Sequence, residues 1–490
     1  MSQNSHGPTS GLAVFVAATF AVAVATIAAL YRVGVPDIIV QGLGPILALF
    51  SLAVVGAGAR SADLASFLAA RRGVPVIYGA LGLPAVVAGI VLCLDNDLAA
   101  PFDASAIVAG VALGAIGYGP LIRRFGATSA NDIVATRFSG SHLPILSAIV
   151  TFMSAALTAL GGYRMAVAAV AAVEPLALNR LWAEVVVATV LAVTVVPGGL
   201  AGVIWCAAAS AGEIGAIIIF GFATGWLHAP APGDSIAALA TSFSLASPQS
   251  LVPSVAATLA VAGYFALQPQ SIASRSAKSA VRAGIAGTAL CVASVAMATA
   301  PSFPFPIDLR QLAANPVAVS LASAVMVASA LTLARVGVHA SSRAFGLALA
   351  DPPRPFPPPA SVRLARMRGA QLAVVIGCAI CDSKGLLDAR TALVDAMALS
   401  LALTTPLVAL AAIGRVGPVS ASVGIVAALA VIAYRMVPTT LPPGAPVAID
   451  DALLAAAAMF VAGVLTSLVA PRRGPAPTPD EFDPYASGSG

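Results

Sequence analysis

The feature that most constrains this chain is a succession of apolar runs, each close to the roughly 20 residues that cross a bilayer as a helix. Only 9% of the residues are charged, against roughly 25% in a soluble protein. The runs lack the strict alternation of barrel strands. The sequence therefore predicts an all-α polytopic membrane protein of about fourteen transmembrane helices. They begin near Gly11, Asp37, Val74, Ser105, Leu143, Arg180, Gly202, Ser250, Ser279, Val317, Gln371, Ala389, Pro418 and Asp451.

The charged residues of the loops predict the orientation of these helices. Basic clusters such as Arg71–Arg72 and Arg123–Arg124 fall in one set of alternate loops, whereas acidic residues such as Asp95 and Asp97 fall in the other. By the positive-inside rule, the basic loops and both termini lie in the cytoplasm, and the chain is a multi-pass protein of the cell inner (plasma) membrane. The formal charge of +5 does not indicate nucleic-acid binding, because the basic residues form no stripe with interleaved aromatics.

The five cysteines offer little evidence for a metal or redox site. Cys378 and Cys381 form a C-x-x-C pair, but neither a second pair nor a histidine cluster accompanies it. We therefore expect small buried apolar side chains and no metal or redox cofactor at the cysteines. The chain also contains no H-E-x-x-H motif and no nucleophile elbow, so the sequence predicts that it is not an enzyme.

Four stretches together resemble the sodium:solute symporter family, in particular its cation/acetate symporter-like branch. The two most specific are "GPLIRRFGATSANDIVATRFSG" (119–140) and "VVPGGLAGVIWCAAASAGE" (195–213). "FALQPQSIASRSAKSAVRAG" (265–284) and "ARSADLASFLAARRGVPV" (59–76) are similar to two further stretches of that family. The resemblance extends from about Ala59 to Ala350, and beyond it only the hydropathy matches.

This resemblance implies a LeuT-like fold of inverted five-helix repeats. The repeats would span 74–227 and 250–414, preceded by two leading helices in 1–73 and followed by two trailing helices in 415–470. Residues 471–490 are rich in proline, glycine and serine, a composition typical of a disordered tail, here cytoplasmic. In such folds, broken helices near the bilayer midplane hold the substrate and the coupling ion.

The resemblance also directs attention to a set of site residues. Gly82, Leu83 and Pro84 lie mid-helix, where glycine and proline weaken helical structure; either an unwound substrate site or a simple proline kink would fit. Tyr264 lies at the corresponding part of the second repeat, where it either lines the pocket or only packs. Arg164 can bind a substrate carboxylate bidentately, and its alternatives are pairing with Glu184 or snorkelling outwards.

A sodium site would draw on the carbonyls of Gly82 and Ala85 and on the hydroxyls of Ser323 or Ser329. The sequence departs from the family pattern here. Ala85 stands where many relatives carry an aspartate, and Met326 and Val327 stand where sodium-dependent relatives carry hydroxyls. His339 is the alternative coupling residue, because imidazole can carry a proton. No cofactor beyond a sodium ion is implied.

Two functions remain open at this point. The first is cation-coupled symport, by sodium or protons, of a small solute such as a short monocarboxylate like acetate, by alternating access. The second is a transport-inactive sensor or scaffold on the same fold. The expected partners are the solute and the lipid bilayer, and the sequence leaves monomer or dimer open.

The stretch from Phe125 to Phe138 predicts a short interfacial helix. Thr128 or Ser129 can cap it, with Asp132 in its first turn, where the helix dipole favours a negative charge. We expect this helix to anchor and orient the bundle at the cytoplasmic headgroups, without a catalytic role.

Overall fold

The computed structural model describes residues 8–94, 104–139, 141–172, 180–223, 248–298, 315–349, 358–413, 416–436 and 449–469. Nearly all of these residues are helical. The first half contains α1 (Pro8–Arg32), α2 (Asp37–Gly58), α3 (Leu64–Ala69), α4 (Val76–Cys93), α5 (Ala104–Ala112), α6 (Gly119–Arg124), α7 (Ala130–Arg137), α8 (Leu143–Ala171), α9 (Arg180–Val195) and α10 (Gly199–Ala223). The second half contains α11 (Pro248–Ala262), α12 (Pro269–Ile272), α13 (Ala277–Ala298), α14 (Pro316–Arg343), α15 (Ala360–Ser383), α16 (Ala389–Leu399), α17 (Thr405–Ala412), α18 (Pro418–Met436) and α19 (Ile449–Val469).

Ten helical segments in the described part of the chain are long and apolar enough to cross a membrane. Two shorter apolar helices, Val252–Ala262 and Pro418–Tyr434, accompany them. The chain is therefore a multi-pass membrane protein, as the apolar runs predicted. Helices lie over all the expected segments, but the count of fourteen crossings and the repeat boundaries stay predictions. The expected tail, 471–490, lies outside the described residues.

Three of the long segments contain a π-helical turn. These turns cover Leu113–Tyr118 between α5 and α6, Ala344–Leu349 after α14, and Ser400–Thr404 between α16 and α17. A π turn widens the helix by one residue and is common at functional sites. Two of the three contribute residues to the cavity described below.

The centre of the molecule is α14, whose apolar span is 94% buried. A helix that is apolar on all sides is expected in such a position. It packs closely against α8 through glycines on both partners: a Cβ on Gly162 would lie 2.7 Å from the Ala330 carbonyl oxygen, and one on Gly337 would lie 2.6 Å from that of Ala155. Since real Cβ atoms do not approach so closely, both positions require glycine for this backbone separation.

The leading helices α1 and α2 cover one side of this centre. The Gly44 amide of α2 donates to Ser320 Oγ of α14 at 2.8 Å. On the other side, α18 and α19 pack on each other, and a Cβ on Gly424 would meet the Met459 carbonyl oxygen at 2.5 Å. The leading pair therefore contacts the central helix α14 through α2, and the two trailing helices contact each other closely.

The end of the bundle that carries the basic loop residues is called the basic end. Arginines link its segments by donating hydrogen bonds to backbone carbonyls. Arg123 donates to the carbonyls of Ser274 at 2.9 Å and Arg275 at 2.8 Å. Arg368 donates to the Ser61 carbonyl at 2.7 Å. Val74 and Ser274 also form an isolated parallel β-bridge there. The basic residues that predicted the orientation thus make structural hydrogen bonds between segments distant in sequence.

Candidate functional site

A cavity of about 480 Å³ enters the molecule at its basic end. Its walls come from α7, the first half of α8, the start of α10, the connection between α11 and α12, the end of α14, and the π turn at 400–404. A volume of this size is within the usual range for small-molecule sites. It is the best candidate for a ligand site in the described part of the chain.

A break in a helix shapes one wall of the cavity. The α-helix α11 ends at Ala262, Tyr264 adopts an extended conformation (φ −69°, ψ 125°), and a 3-10 turn covers Phe265–Leu267 before α12 begins at Pro269. The sequence explains the break, because Gly263 has little helical preference and Pro269 cannot donate a helical hydrogen bond. The break predicted near Tyr264 is therefore present.

Several polar atoms of residues that line the cavity have no hydrogen-bond partner among the described residues. Among them are Asn131 Oδ1 of α7, Thr151 Oγ1 of α8, Gln268 Nε2 of the break, His339 Nε2 of α14 and Thr404 Oγ1 of the π turn. Leaving such groups unpaired costs about 1–3 kcal/mol each. Their convergence from five elements therefore indicates a site that a polar ligand or water completes.

A charged pair lies in the cavity wall at its mouth. Asp132 Oδ2 accepts from the Thr128 amide at 2.8 Å and from its hydroxyl at 2.6 Å. Arg343 donates to the same Thr128 hydroxyl at 2.6 Å and lies 3.7 Å from Asp132 Oδ2. Thr128 thus links the carboxylate of α7 to the guanidinium of α14, and the mouth carries both charges.

The stretch from Phe125 to Phe138 is capped as predicted. Ser129 is the N-cap, and its hydroxyl accepts from the Asp132 amide at 3.2 Å. Its apolar residues Ala130, Ile133, Val134 and Phe138 are buried. Its expected role needs a correction, however: because Ser129, Asp132 and Ala135 line the cavity, the helix forms part of the candidate site in addition to packing the bundle.

Hydrogen bonds between helices close the opposite end of the cavity. The hydroxyls of Tyr264 and Thr158 are bonded to each other. Ser154 Oγ donates to the Ala396 carbonyl at 2.7 Å, and Ser400 Oγ donates to the Gly263 carbonyl at 3.2 Å. These contacts join α8, the break, α16 and the π turn beside the cavity.

The expected break at Gly82, Leu83 and Pro84 is absent, which corrects that prediction. Val76–Cys93 is a continuous α-helix with Pro84 inside it. Proline deprives the carbonyl four residues earlier, that of Ala80, of its donor, yet membrane helices tolerate this where neighbouring helices pack closely. A Cβ on Gly287 of α13 would lie 3.0 Å from the Ala80 oxygen. The three residues do not belong to the lining of the cavity.

The four residues proposed for sodium do not form an ion cage. In the unbroken helix, the carbonyls of Gly82 and Ala85 accept intrahelical bonds. Ser323 Oγ donates to the Val319 carbonyl at 2.8 Å, and only the Ser329 hydroxyl lacks a partner. Sodium prefers several hard oxygen ligands, so this donor set does not fit the ion as arranged. No cluster of metal-binding side chains occurs elsewhere among the described residues.

Arg164 is engaged by a carboxylate that the sequence did not single out. Its Nε lies 2.8 Å from Asp382 Oδ1, and Arg180 Nη2 approaches the same oxygen at 3.0 Å. Arg180 in turn pairs with Glu184 at 3.4 Å. Arg164 lies ten residues beyond Ser154 on α8, about 15 Å along the helix. It therefore lies away from the cavity, and its contact with a substrate stays a prediction.

His339 and Tyr264 are the expected site residues that lie at the cavity. His339 lines it, and its Nδ1 is 3.4 Å from Gln371 Nε2. Tyr264 is fully buried at the closed end, and its neighbour Phe265 lines the wall. Sequence reasoning missed Thr151, Thr404 and the Asp132–Arg343 pair. The only signal for them was an interrupted apolar pattern, as in "SLALTTP" around Thr404.

Comparisons with known proteins give a structural match but no sequence match. No protein-family model matches the chain, and no curated protein does. A solved structure of a Na⁺-coupled sialic acid symporter, in a substrate-bound outward-open state, matches with a TM-score of 0.68 at 15% identity. The match covers 88% of this chain and 98% of the symporter. The chain thus shares the fold of that transporter.

Proposed function

We propose that the chain is a secondary active transporter that moves a small solute by cation-coupled symport and alternating access. The observation that carries this proposal is the cavity, into which five elements bring polar atoms without partners among the described residues. A polar solute would supply those hydrogen bonds. The shared fold with a Na⁺-coupled symporter supports the same function.

The cavity suggests how access would alternate. It is open at the basic end, which the charge rule places in the cytoplasm, and hydrogen bonds between α8, the break and α16 close it on the other side. Each such bond contributes only about 1 kcal/mol net. Solute binding can therefore shift the balance between the two facing states without a large rearrangement of the core.

The solute class follows from the residues at the site. Hydroxyls, an amide and an imidazole line the interior, and Arg343 at the mouth is balanced by Asp132. Small polar solutes fit this lining, and the family resemblance makes acetate and pyruvate the first to test. The coupling ion would be sodium or a proton, with His339 as the proton carrier within the cavity.

The test is uptake of a labelled solute panel into proteoliposomes, together with thermal stability of the purified protein in sodium and in potassium. Thr404→Val removes a hydroxyl without a partner, so the ligand-free protein should be equally or more stable. Its affinity for the solute should fall about five- to tenfold through the lost bond. Thr151→Val should behave alike.

Ser422→Ala is the matched control, because that hydroxyl only bonds the Pro418 carbonyl of its own helix at 2.9 Å on an exposed face. It should leave affinity and uptake unchanged. Uptake that is independent of both the sodium gradient and the pH gradient would overturn the symport proposal. Equal affinities in Thr404→Val and wild type would overturn the assignment of the cavity.

A transport-inactive sensor or scaffold is the second candidate. The unbroken helix Val76–Cys93 and the lack of a formed oxygen cage at Ser323 and Ser329 favour it. Such a protein would bind its solute, with the affinity losses described above, and would catalyse no uptake or exchange. Solute exchange across proteoliposomes, faster than in empty vesicles, would exclude it.

A further inference from the structure

A buried carboxyl group lies between a leading helix and the core, outside the cavity. Glu213 of α10 is 1% exposed, and its Oε1 is hydrogen bonded to Ser51 Oγ of α2. Its Oε2 has no partner among the described residues. The adjacent Gly212 packs against α1, where an added Cβ would lie 2.7 Å from that of Ala17. The group therefore sits in the interface that joins both leading helices to the core.

The hydrogen bonds of Ser51 determine the protonation state that fits here. Ser51 Oγ also lies 3.0 Å from the Ala48 carbonyl oxygen, which can only accept. A hydroxyl has one proton to donate and two lone pairs to accept with. If Ser51 donates to Ala48, its contact with Glu213 requires that Glu213 carry a proton and donate it. Both contacts are satisfied together only when the carboxyl is neutral.

The surroundings offer no ionic partner for a carboxylate. Arg335 of α14 is the cation whose charge reaches Glu213, but its Nε donates to Thr194 at 3.0 Å, and no ion pair within 4.0 Å joins the two in the described residues. Thr332, one turn from Arg335, donates to Ser210 of α10 at 3.0 Å. An unpaired charge inside a bilayer costs roughly 2.5–3.5 kcal/mol on insertion scales, so the neutral form is favoured.

Other ionisable groups on the packed helices are few. Cys206 lies on α10 itself, and its thiol donates to the Leu52 carbonyl at 3.7 Å. The remaining ones are Tyr31 and Arg32 at the end of α1, Asp37 at the start of α2, Tyr78 and Cys93 on α4, Arg71 and Arg72 after α3, Arg180 and Glu184 on α9, and His339 and Arg343 on α14. The hydrogen-bond partner that the structure gives to the Glu213 carboxyl is Ser51.

We propose that Glu213 and Ser51 form a proton-binding site at the interface between α2 and α10. In the protonated state, Glu213 donates to Ser51 and Ser51 donates to Ala48, which ties the leading helix to the core. When the proton leaves, Ser51 must turn its single hydrogen towards the carboxylate and release the Ala48 carbonyl. The interface then holds a carboxylate that has no ion pair among the described residues, and it is weaker.

This site would couple a proton to the movement of α2 against α10, a role that rests on the proposed transport function. The proton site itself does not depend on that function. It also lies apart from the cavity, because neither Glu213 nor Ser51 contributes to its lining.

Infrared difference spectroscopy of the full-length protein in liposomes tests the proton site directly. A protonated carboxylic acid has a C=O stretch that carboxylates lack. At neutral pH, the wild type should show this band, and it should disappear in Glu213→Gln and on raising the pH. Glu184→Gln is the matched control, since Glu184 is also buried but pairs with Arg180 at 3.4 Å. It should retain the band.

Glutamine keeps a donor for Ser51, so Glu213→Gln should fold and should mimic the protonated state. Its thermal stability should stay constant where that of the wild type falls with rising pH. A spectrum that Glu213→Gln leaves unchanged at every pH would show that Glu213 is ionised and would overturn the site. Ser51→Ala provides a second variant, in which the band should shift without being lost.

Solute uptake separates the proton site from its coupling role. A pH gradient should drive solute accumulation in wild-type proteoliposomes. In Glu213→Gln, this accumulation should be at least tenfold lower, while solute exchange persists. Accumulation that follows the pH gradient equally in both proteins would overturn the coupling role. If the wild type shows the infrared band but moves no solute, the proton site stands and the transport proposal fails.

Discussion

Tyr264 and Thr158, which are 106 residues apart in sequence, share a hydrogen bond between their hydroxyls at the closed end of the cavity. Both residues are fully buried. Tyr264 belongs to the broken segment and Thr158 to α8, and these two elements must separate if the cavity is to open on the far side. Under the proposed alternating-access mechanism, the bond would stabilise the state that is open at the basic end.

Removal of this bond should favour the other facing state. Tyr264→Phe should destabilise the observed facing state by about 1 kcal/mol, which shifts the equilibrium between the two facing states about fivefold. The test places a cysteine at Ser139, an exposed residue of the cavity mouth, and labels it with an impermeant maleimide. The labelling rate should fall by up to that factor. The background would lack the five natural cysteines.

Tyr163→Phe is the control for this prediction. Its hydroxyl is buried and donates to the Glu184 carbonyl at 2.8 Å, away from the cavity. We expect a similar loss of stability and an unchanged labelling rate. If both variants change labelling alike, the Tyr264–Thr158 bond is not specific to the closed end.

Asp382 should matter more for stability than Glu184. Asp382 is a fully buried carboxylate shared by Arg164 and Arg180, whereas Glu184 contacts Arg180 alone at 3.4 Å. Asp382→Asn should therefore lower the melting temperature clearly more than Glu184→Gln does, because removing one partner leaves buried charge uncompensated. The measurement is thermal unfolding of purified protein with and without solute.

The same experiment tests the predicted role of Arg164. If the only role of Arg164 is its ion pair with Asp382, Arg164→Gln should lower stability about as much as Asp382→Asn and leave the shift induced by solute intact. A specific loss of that shift in Arg164→Gln would instead support contact with a substrate carboxylate.

The close contact between α8 and α14 should not tolerate a side chain. Gly337→Ala places a Cβ 2.6 Å from the Ala155 carbonyl oxygen and should cost about 1–3 kcal/mol, in spite of alanine's better helix propensity. Gly369→Ala on α15 is the control, since nothing lies within 4 Å of its added Cβ. It should be neutral or stabilise by up to about 1 kcal/mol. Thermal unfolding of the two variants would contradict the prediction if they behaved alike.

Asp63 should make stability depend on acidic pH. Partial burial raises the pKa of its carboxyl, but hydrogen bonds from Arg71 and the Ser66 amide outweigh this, so the pKa lies below the usual 3.8. A lowered pKa means that the stabilisation is present above 3.8 and is lost as the pH falls through the folded value. Melting temperatures of wild type and Asp63→Asn should therefore differ at neutral pH and converge in acid. A difference in melting temperature that persists in acid would show that ionisation of Asp63 is not its cause.

The family resemblance implied a break in two helices, of which one is present and the other is absent. At Gly263, a glycine precedes a proline-initiated helix, and the backbone does leave the α conformation. At Pro84, the helix continues, because close packing against α13 and α10 holds it, and packing is not visible in one sequence. Glycine and proline thus mark where a break is allowed, and the neighbouring helices decide whether it forms.

The candidate site depended even more on tertiary structure. Thr151, Gln268, His339 and Thr404 meet at one cavity although more than 250 residues separate the first from the last. None of them has a local motif. The sequence predicted His339 because it is an ionisable residue inside an apolar run, and hydroxyls carry no such signal. Asp132 was correctly predicted in the first turn of the helix that Ser129 caps, but its approach to Arg343 is a long-range contact.

The π turn at Ser400–Thr404 has a consequence for numbering. A π turn accommodates one more residue than the α-helix it interrupts. Against any protein in which that helix is regular, positions in Ala389–Leu399 and positions in Thr405–Ala412 therefore differ in alignment register by one. Equivalences for Ser400 and Thr404 have to be assigned from each side separately, and a single ungapped alignment through the helix would pair half of its residues with the wrong neighbours.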